Sequence, residues 1–81
     1  MLPLSEKQFE QQIHDLAKIK GWLYYHTYRS DRSEPGFPDC VFVKGNRVIW
    51  AELKTEQGKL TASQREWIDA LVHAGQEVYI W

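Results

Sequence analysis

The clearest signal of the fold lies in residues 38–54, PDCVFVKGNRVIWAELK. Two apolar runs rich in β-branched and aromatic residues, 39–43 and 47–54, flank Lys44-Gly45-Asn46. Gly-Asn between two such runs predicts a β-hairpin, because glycine adopts the positive φ that a tight turn requires. Both strands are apolar on both faces, which is typical of a sheet covered on two sides.

The N-terminal side of the hairpin predicts a helix, a strand and a long loop. Apolar residues recur at helical spacing after Ser5 and Gln8, which match a capping box, so a helix is expected from about residue 6 to residue 20. The aromatic stretch 22–27 predicts a strand. The polar stretch 28–38 contains two prolines and a glycine and predicts a loop.

The C-terminal side predicts a second helix and a last strand. A polar loop at 55–60 is followed by Thr61 and Gln64, a second capping-box pattern, and Gly75 ends the apolar helical stripe. Residues 77–81 predict a strand. The order αβββαβ predicts an α/β fold with a mixed four-stranded sheet flanked by helices.

The composition restricts the class of protein. The 81 residues predict one domain, 1–81, because two would leave neither half enough chain for a core. Hydrophobic residues make up 43% and charged residues 26%, which is typical of a folded chain. No apolar run could cross a membrane, no export signal opens the sequence, and a single cysteine allows no internal disulfide. A cytoplasmic protein without membrane contact is expected.

The hairpin is expected to bring two carboxylates together. With Gly45-Asn46 as its loop, pairing runs from Lys44 opposite Arg47 to Asp39 opposite Glu52. Opposed residues have Cβ atoms roughly 5 Å apart on the same side of the sheet. Two carboxylates so placed repel each other unless they share a proton or a cation bridges them.

The chemistry of this pair points to a hard divalent cation. Carboxylate oxygens suit Mg²⁺ or Mn²⁺ far better than zinc. Lys54 projects from the face of Glu52, where its ammonium can orient water or offset charge in a transition state. Cys40 is expected to point to the opposite face and is no candidate nucleophile. The carboxylate pair and the nearby lysine match metal-dependent phosphodiester hydrolysis.

The charge distribution is compatible with a DNA partner. The net charge of −1 is low for a nucleic-acid-binding protein, but basic residues concentrate in 18–32 and 44–59. The polar loops flank both ends of the predicted metal-binding strands, so their basic and aromatic residues are candidate DNA contacts, with a solvated loop as the alternative. The candidates are His26, Tyr28, Arg29, Arg32 and Lys59. For His26, a hydrogen-bonded structural role is the alternative.

The motifs also carry a family resemblance. Gly36-Phe37-Pro38-Asp39 followed by Glu52-Leu53-Lys54 resembles the PD…ExK signature of the PD-(D/E)xK nuclease superfamily. With LTASQREW at 60–67 and Gly75, the chain resembles the virus-type replication-repair nuclease (VRR-NUC) domain in its stand-alone phage or prophage form. The resemblance implies a restriction-endonuclease-like core and a metal-dependent, structure-specific DNA endonuclease. It also implies a homodimer and branched substrates such as Holliday junctions.

The resemblance assigns a role to each matching residue. It makes Asp39 and Glu52 metal ligands together with the main-chain carbonyl of Leu53, and Lys54 the catalytic lysine. Gln64 matches a glutamine that positions water or the lysine, although its place in a capping box is a sufficient structural reason for it.

A glutamate on the first helix completes the set that the resemblance implies. Glu6 matches it by distance from Gly21, and Glu10, one turn later, is the alternative. Either acid could instead complement the helix dipole in the first turns.

Two other functions remain open. A non-catalytic DNA-binding module of the same fold would bind DNA without metal-stimulated turnover. The presence of Asp39, Glu52 and Lys54 together argues against such a decayed site. A nuclease acting on plain duplex DNA or on RNA would use the same residues, since shape recognition is a property of the assembled surface.

Overall fold

The structure is a computed structural model that describes residues 5–27, 34–54 and 59–81, apart from the side chain of Glu6. Its elements are α1 (Glu6–Ile19), β1 (Leu23–His26), β2 (Cys40–Lys44), β3 (Arg47–Glu52), α2 (Ala62–His73) and β4 (Glu77–Ile80). Both predicted capping boxes form at the starts of the helices. The predicted order αβββαβ is confirmed.

The four strands form one mixed sheet in the order β1-β2-β3-β4. The first three strands are antiparallel, and β4 pairs parallel to β3. This follows from the connections, because a tight hairpin joins antiparallel strands, whereas the helical crossover α2 allows a parallel pair. The predicted mixed four-stranded sheet is therefore confirmed.

The hairpin has the predicted register. Lys44 pairs with Arg47, and the ladder continues to Cys40 opposite Ala51. Gly45 adopts a φ of +61°, the left-handed conformation that the turn requires. The two-residue loop therefore fixes which side chains of β2 and β3 share a face.

The predicted strand ends need a correction at this end of the hairpin. Asp39 was expected inside β2 and Leu53 and Lys54 inside β3, but β2 begins at Cys40 and β3 ends at Glu52. The reason is that the Asp39 carboxylate, not its main chain, accepts the Leu53 N–H at 2.9 Å. Main-chain bonding towards the end of β4 continues, because Lys54 N–H donates to the Trp81 carbonyl.

Each helix covers one face of the sheet. On the α1 face the buried core consists of Ala17, Cys40, Phe42, Ile49, Ala51 and Leu53. On the α2 face, Phe37 packs edge-on against Trp50 and Trp67, with ring centroids 5.9 and 5.0 Å away. Within the described part of the chain, neither helix has the length and apolar composition of a membrane-crossing segment.

Candidate active site

The candidate site lies where β3 ends, on the face that α2 covers. The side chain of Glu52 is only 1% exposed there. Gln64 donates a hydrogen bond from Nε2 to Glu52 Oε1 at 3.1 Å, and Lys54 Nζ lies 3.9 Å from the same oxygen. The structure thus brings Glu52, Lys54 and Gln64 together as predicted, around a carboxylate taken out of water.

The capping box of α2 fixes the position of Gln64. Its Oε1 accepts the Thr61 N–H at 2.9 Å, and its own N–H donates to Thr61 Oγ1 at 3.2 Å. The amide therefore uses its oxygen for the helix and its NH₂ group for Glu52. One orientation of the Gln64 side chain therefore serves both the capping box and the hydrogen bond to Glu52.

Asp39 is held from two directions. Its carboxylate accepts the Leu53 N–H, and its carbonyl accepts the Thr27 N–H at 2.9 Å. The Thr27 hydroxyl also donates to the carbonyl of Pro38 at 3.0 Å. Asp39 is thereby tied to the end of β1 and to the residue that follows Glu52.

Gly36 connects the loop before β2 to the start of α2. Its φ is +86°, and a Cβ at this position would lie 2.3 Å from the main-chain carbonyl atoms of Ser63. Only glycine allows this approach of two backbones. The contact sets α2 close to the sheet, so that Gln64 reaches Glu52.

The structure describes the side chain of one of the two candidate first-helix acids, Glu10. Glu10 Oε2 lies 3.0 Å from His26 Nε2, so Glu10 faces the end of β1. The side chain of Glu6 lies outside the described residues, and the preference for Glu6 stays a prediction. His26 has the partner expected of a hydrogen-bonded structural histidine.

The other candidate DNA contacts are described in part. Lys59 is exposed. The remaining three, Tyr28, Arg29 and Arg32, lie outside the described residues. A DNA-contacting role for any of them stays a prediction.

Cys40 lies on the face opposite to the site, as predicted. It is fully buried, and burial raises the pKa of its thiol to about 12, so the thiolate is disfavoured. Burial likewise raises the pKa of Tyr24, whose hydroxyl lies 3.6 Å from Cys40 Sγ. Both groups are protonated at neutral pH and contribute to packing.

The oxygen ligands present at the candidate site are of the type that a hard cation prefers. Among the described residues, no group of three or more His, Cys, Asp or Glu side chains is placed to hold a metal ion. A site here would instead combine the two carboxylates of Asp39 and Glu52 with main-chain oxygen. All-oxygen ligands suit Mg²⁺ or Mn²⁺.

The sequence interpretation missed Thr27 and Tyr25. Thr27 positions Asp39, and Tyr25 pairs with Val41, two residues beyond Asp39 on β2. The only sequence signal for their placement was the alternation of side chains within 22–27. The sequence did not determine the register of β1 with β2, because the long segment 28–38 separates the two strands.

Similarity to known proteins agrees with this fold. No family model matches the chain. A UPF0102 protein of Magnetococcus marinus is 36% identical over 70 residues, covering 82% of this chain and 55% of that protein. The chain thus spans about half the length of this curated relative. A solved structure described as a VRR_NUC domain protein superposes with a TM-score of 0.78 over 98% of this chain and 78% of its own, at 17% identity. The resemblance is therefore confirmed at the level of architecture: this chain has the fold of a VRR_NUC domain.

Proposed function

We propose that this chain is a metal-dependent, structure-specific DNA endonuclease of the PD-(D/E)xK type. The observation that carries the proposal is the buried carboxylate of Glu52 beside the Lys54 ammonium, at the end of the strand that Asp39 caps. Burying a carboxylate is costly, so a fold keeps one mainly where a site requires it. The shared fold with a VRR_NUC domain protein supports the same assignment.

Three groups of the chain would hold a divalent cation, Mg²⁺ or Mn²⁺. These are the carboxylates of Asp39 and Glu52 and the main-chain carbonyl of Leu53. In extended chain, the carbonyl and N–H of one residue point to the same edge, and the Leu53 N–H already faces Asp39. A bound ion would polarise a phosphoryl oxygen and lower the pKa of a bound water.

Lys54, Gln64 and an acid of α1 would orient groups of the site and stabilise charge in it. Lys54 places a positive charge near Glu52, where it can hold a water molecule in line with a phosphate or offset developing negative charge. Gln64 fixes the rotamer of Glu52 through its amide. Glu6, or Glu10 as the alternative, would add an acid from α1.

The proposed substrate is DNA, with branched DNA such as a four-way junction as the preferred form. His26, Tyr28, Arg29, Arg32 and Lys59 would contact it. A homodimer would present two such sites to the arms of a junction. The proposed location is the cytoplasm of a bacterial or host cell, as for a phage-type protein.

Cleavage assays test the proposal. A four-way junction, a flap and a plain duplex are incubated with the protein in Mg²⁺, in Mn²⁺ or in chelator. We expect cleavage only with metal, and its loss in Asp39→Asn and Lys54→Ala. Lys20→Ala is the matched control, because Lys20 is exposed beside Lys44 at the opposite end of the hairpin.

Two outcomes would contradict the proposal. Cleavage by a rigorously purified Lys54→Ala protein at the wild-type rate would remove the lysine from the mechanism. Salt-dependent binding of branched DNA without turnover in either metal would favour the non-catalytic binding module instead.

A further inference from the structure

An aromatic groove lies beside the candidate site and has no role in the chemistry described above. It is an open cavity of about 480 Å³ on the α2 side of the sheet. Its lining residues are Tyr25, Thr27, Glu34, Phe37 and Trp67. Ligand sites of proteins have volumes of this order, so the groove has room for a nucleobase and part of its sugar.

The groove is continuous with the site through the register of β1. Tyr25 pairs with Val41, and Thr27, two residues later and just after β1, donates its N–H to the Asp39 carbonyl. Phe37, which also lines the groove, is two residues before Asp39 and packs on Trp50 of β3. A group in the groove would therefore lie next to the strand end that carries Asp39.

Three of the five lining residues of the groove are aromatic. Phe37 and Trp67 pack edge to face, and the Trp67 indole N–H donates to the Pro35 carbonyl at 3.1 Å, which fixes that ring. Tyr25, on the edge strand β1, is 62% exposed. An exposed aromatic ring beside an open groove is a stacking surface for a base.

The charge in the groove selects for a base over a phosphate. Among the described residues, the charged residue that lines the groove is Glu34, an exposed acid. A carboxylate repels the DNA backbone but accepts hydrogen bonds from the exocyclic amino groups of bases. The aromatic surface matches the face of an unpaired nucleobase, and the acid matches its hydrogen-bonding edge.

We propose that this groove binds an unpaired nucleobase of the substrate, stacked on Tyr25 next to the scissile phosphate. The inference rests on the proposed nuclease function and deepens it. It makes Tyr25 a specificity-determining residue that favours flaps, frayed ends and junction branch points over continuous duplex, where every base is already stacked.

The test measures binding and stacking without cleavage. A flap oligonucleotide with 2-aminopurine at its first unpaired position is titrated with the full chain, with Ca²⁺ in place of Mg²⁺, beside a fully paired duplex of the same sequence. The variants are Tyr25→Ala, Tyr25→Phe, which keeps the ring, and Leu23→Ala. Leu23 is a matched control because it is exposed on the same strand and face.

We expect wild type, Tyr25→Phe and Leu23→Ala to quench the 2-aminopurine fluorescence. Tyr25→Ala should lose the quenching and bind the flap about tenfold more weakly, with duplex binding unchanged. Sedimentation velocity of the same variants shows whether the ring serves self-association instead.

Four results would overturn the inference. One is unchanged flap affinity in Tyr25→Ala, and another is an equal loss for flap and duplex. A third is a shift of Tyr25→Ala from dimer to monomer. If any of these occurs while metal-dependent cleavage still requires Lys54, the proposed function stands and this inference alone fails. A wild-type protein that binds neither DNA would overturn both.

Discussion

Two glutamates on neighbouring strands, Glu77 and Glu52, have contrasting environments. Glu77, at the start of β4, is partly exposed and accepts two hydrogen bonds from the guanidinium of Arg47 and one from the Tyr79 hydroxyl. The Arg47 hydrogen bonds, with smaller help from Tyr79, lower the pKa of Glu77 to about 2. Glu52, at the end of β3, is buried, with the neutral amide of Gln64 and the ammonium of Lys54 beside it.

We interpret this difference as one between a structural charge, that of Glu77, and a charge kept for the proposed site, that of Glu52. Glu77 is matched by a bidentate guanidinium, the geometry that binds a carboxylate best. Glu52 is removed from water, which costs free energy that the hydrogen bond from Gln64 and the nearby Lys54 ammonium offset in part. In the proposed enzyme, a bound cation would offset more of this cost. Natural proteins accept such local costs chiefly at functional sites.

The largest expected effect is from Glu52→Gln. Removing the charge should lower the cleavage rate by about 100-fold or more, because the proposed metal ligand loses its negative charge. The free energy of unfolding should also fall, because Lys54 loses the charge of its partner. Cleavage assays and urea denaturation of the same preparation check both effects. A loss of stability with cleavage at the wild-type rate would place Glu52 with Glu77 as a structural charge.

A smaller effect is expected from Gln64→Glu, which keeps the capping box but turns a carboxylate towards Glu52. The cleavage rate should fall about tenfold, because the hydrogen bond that orients Glu52 is lost. Stability at neutral pH should also fall through like-charge repulsion.

Gln8→Glu is the matched control for that variant. Gln8 occupies the same position in the capping box of α1 and is exposed. Circular dichroism and cleavage of this variant should match wild type. Equal behaviour of the two variants would mean that Gln64 serves only the helix.

The smallest effect is expected from Glu77→Gln, and it should depend on pH. Because the pKa of Glu77 is about 2 in the folded chain against 4.5 ordinarily, its ion pair stabilises the fold above about pH 4.5. That contribution is lost as the pH falls from 4.5 towards 2. The stability difference between wild type and variant should therefore shrink over this window, with neutral cleavage unchanged.

Urea denaturation at several pH values, at low and high salt, measures that difference. Salt should reduce it, because the pair is exposed. A difference independent of pH would assign the effect of Glu77 to packing instead of charge.

The fold was largely predictable because its strongest signals are local. Gly45-Asn46 fixed the register of β2 with β3, and Ser5 and Thr61 fixed the starts of the helices. The end of β3 was not predictable, because it depends on one side chain, that of Asp39, taking the place of a main-chain acceptor.

The candidate site was predictable only along the hairpin. Glu52 and Lys54 share a face by alternation, and Gln64 was implied by the family resemblance. The contact of Glu10 with His26 and the position of Tyr25 depend on how β1 and α1 sit against the hairpin, which no local spacing determines.

The bare Cα of Gly36 has a consequence for how the site keeps its alignment. Because the two backbones approach so closely there, a Cβ at residue 36 would overlap the main-chain atoms of Ser63 and Gln64. A single methyl group would therefore push the segment leading to Asp39 away from the first turn of α2. Replacing Gly36 would thus shift Asp39 relative to Gln64 and Glu52 without altering any side chain of the proposed site.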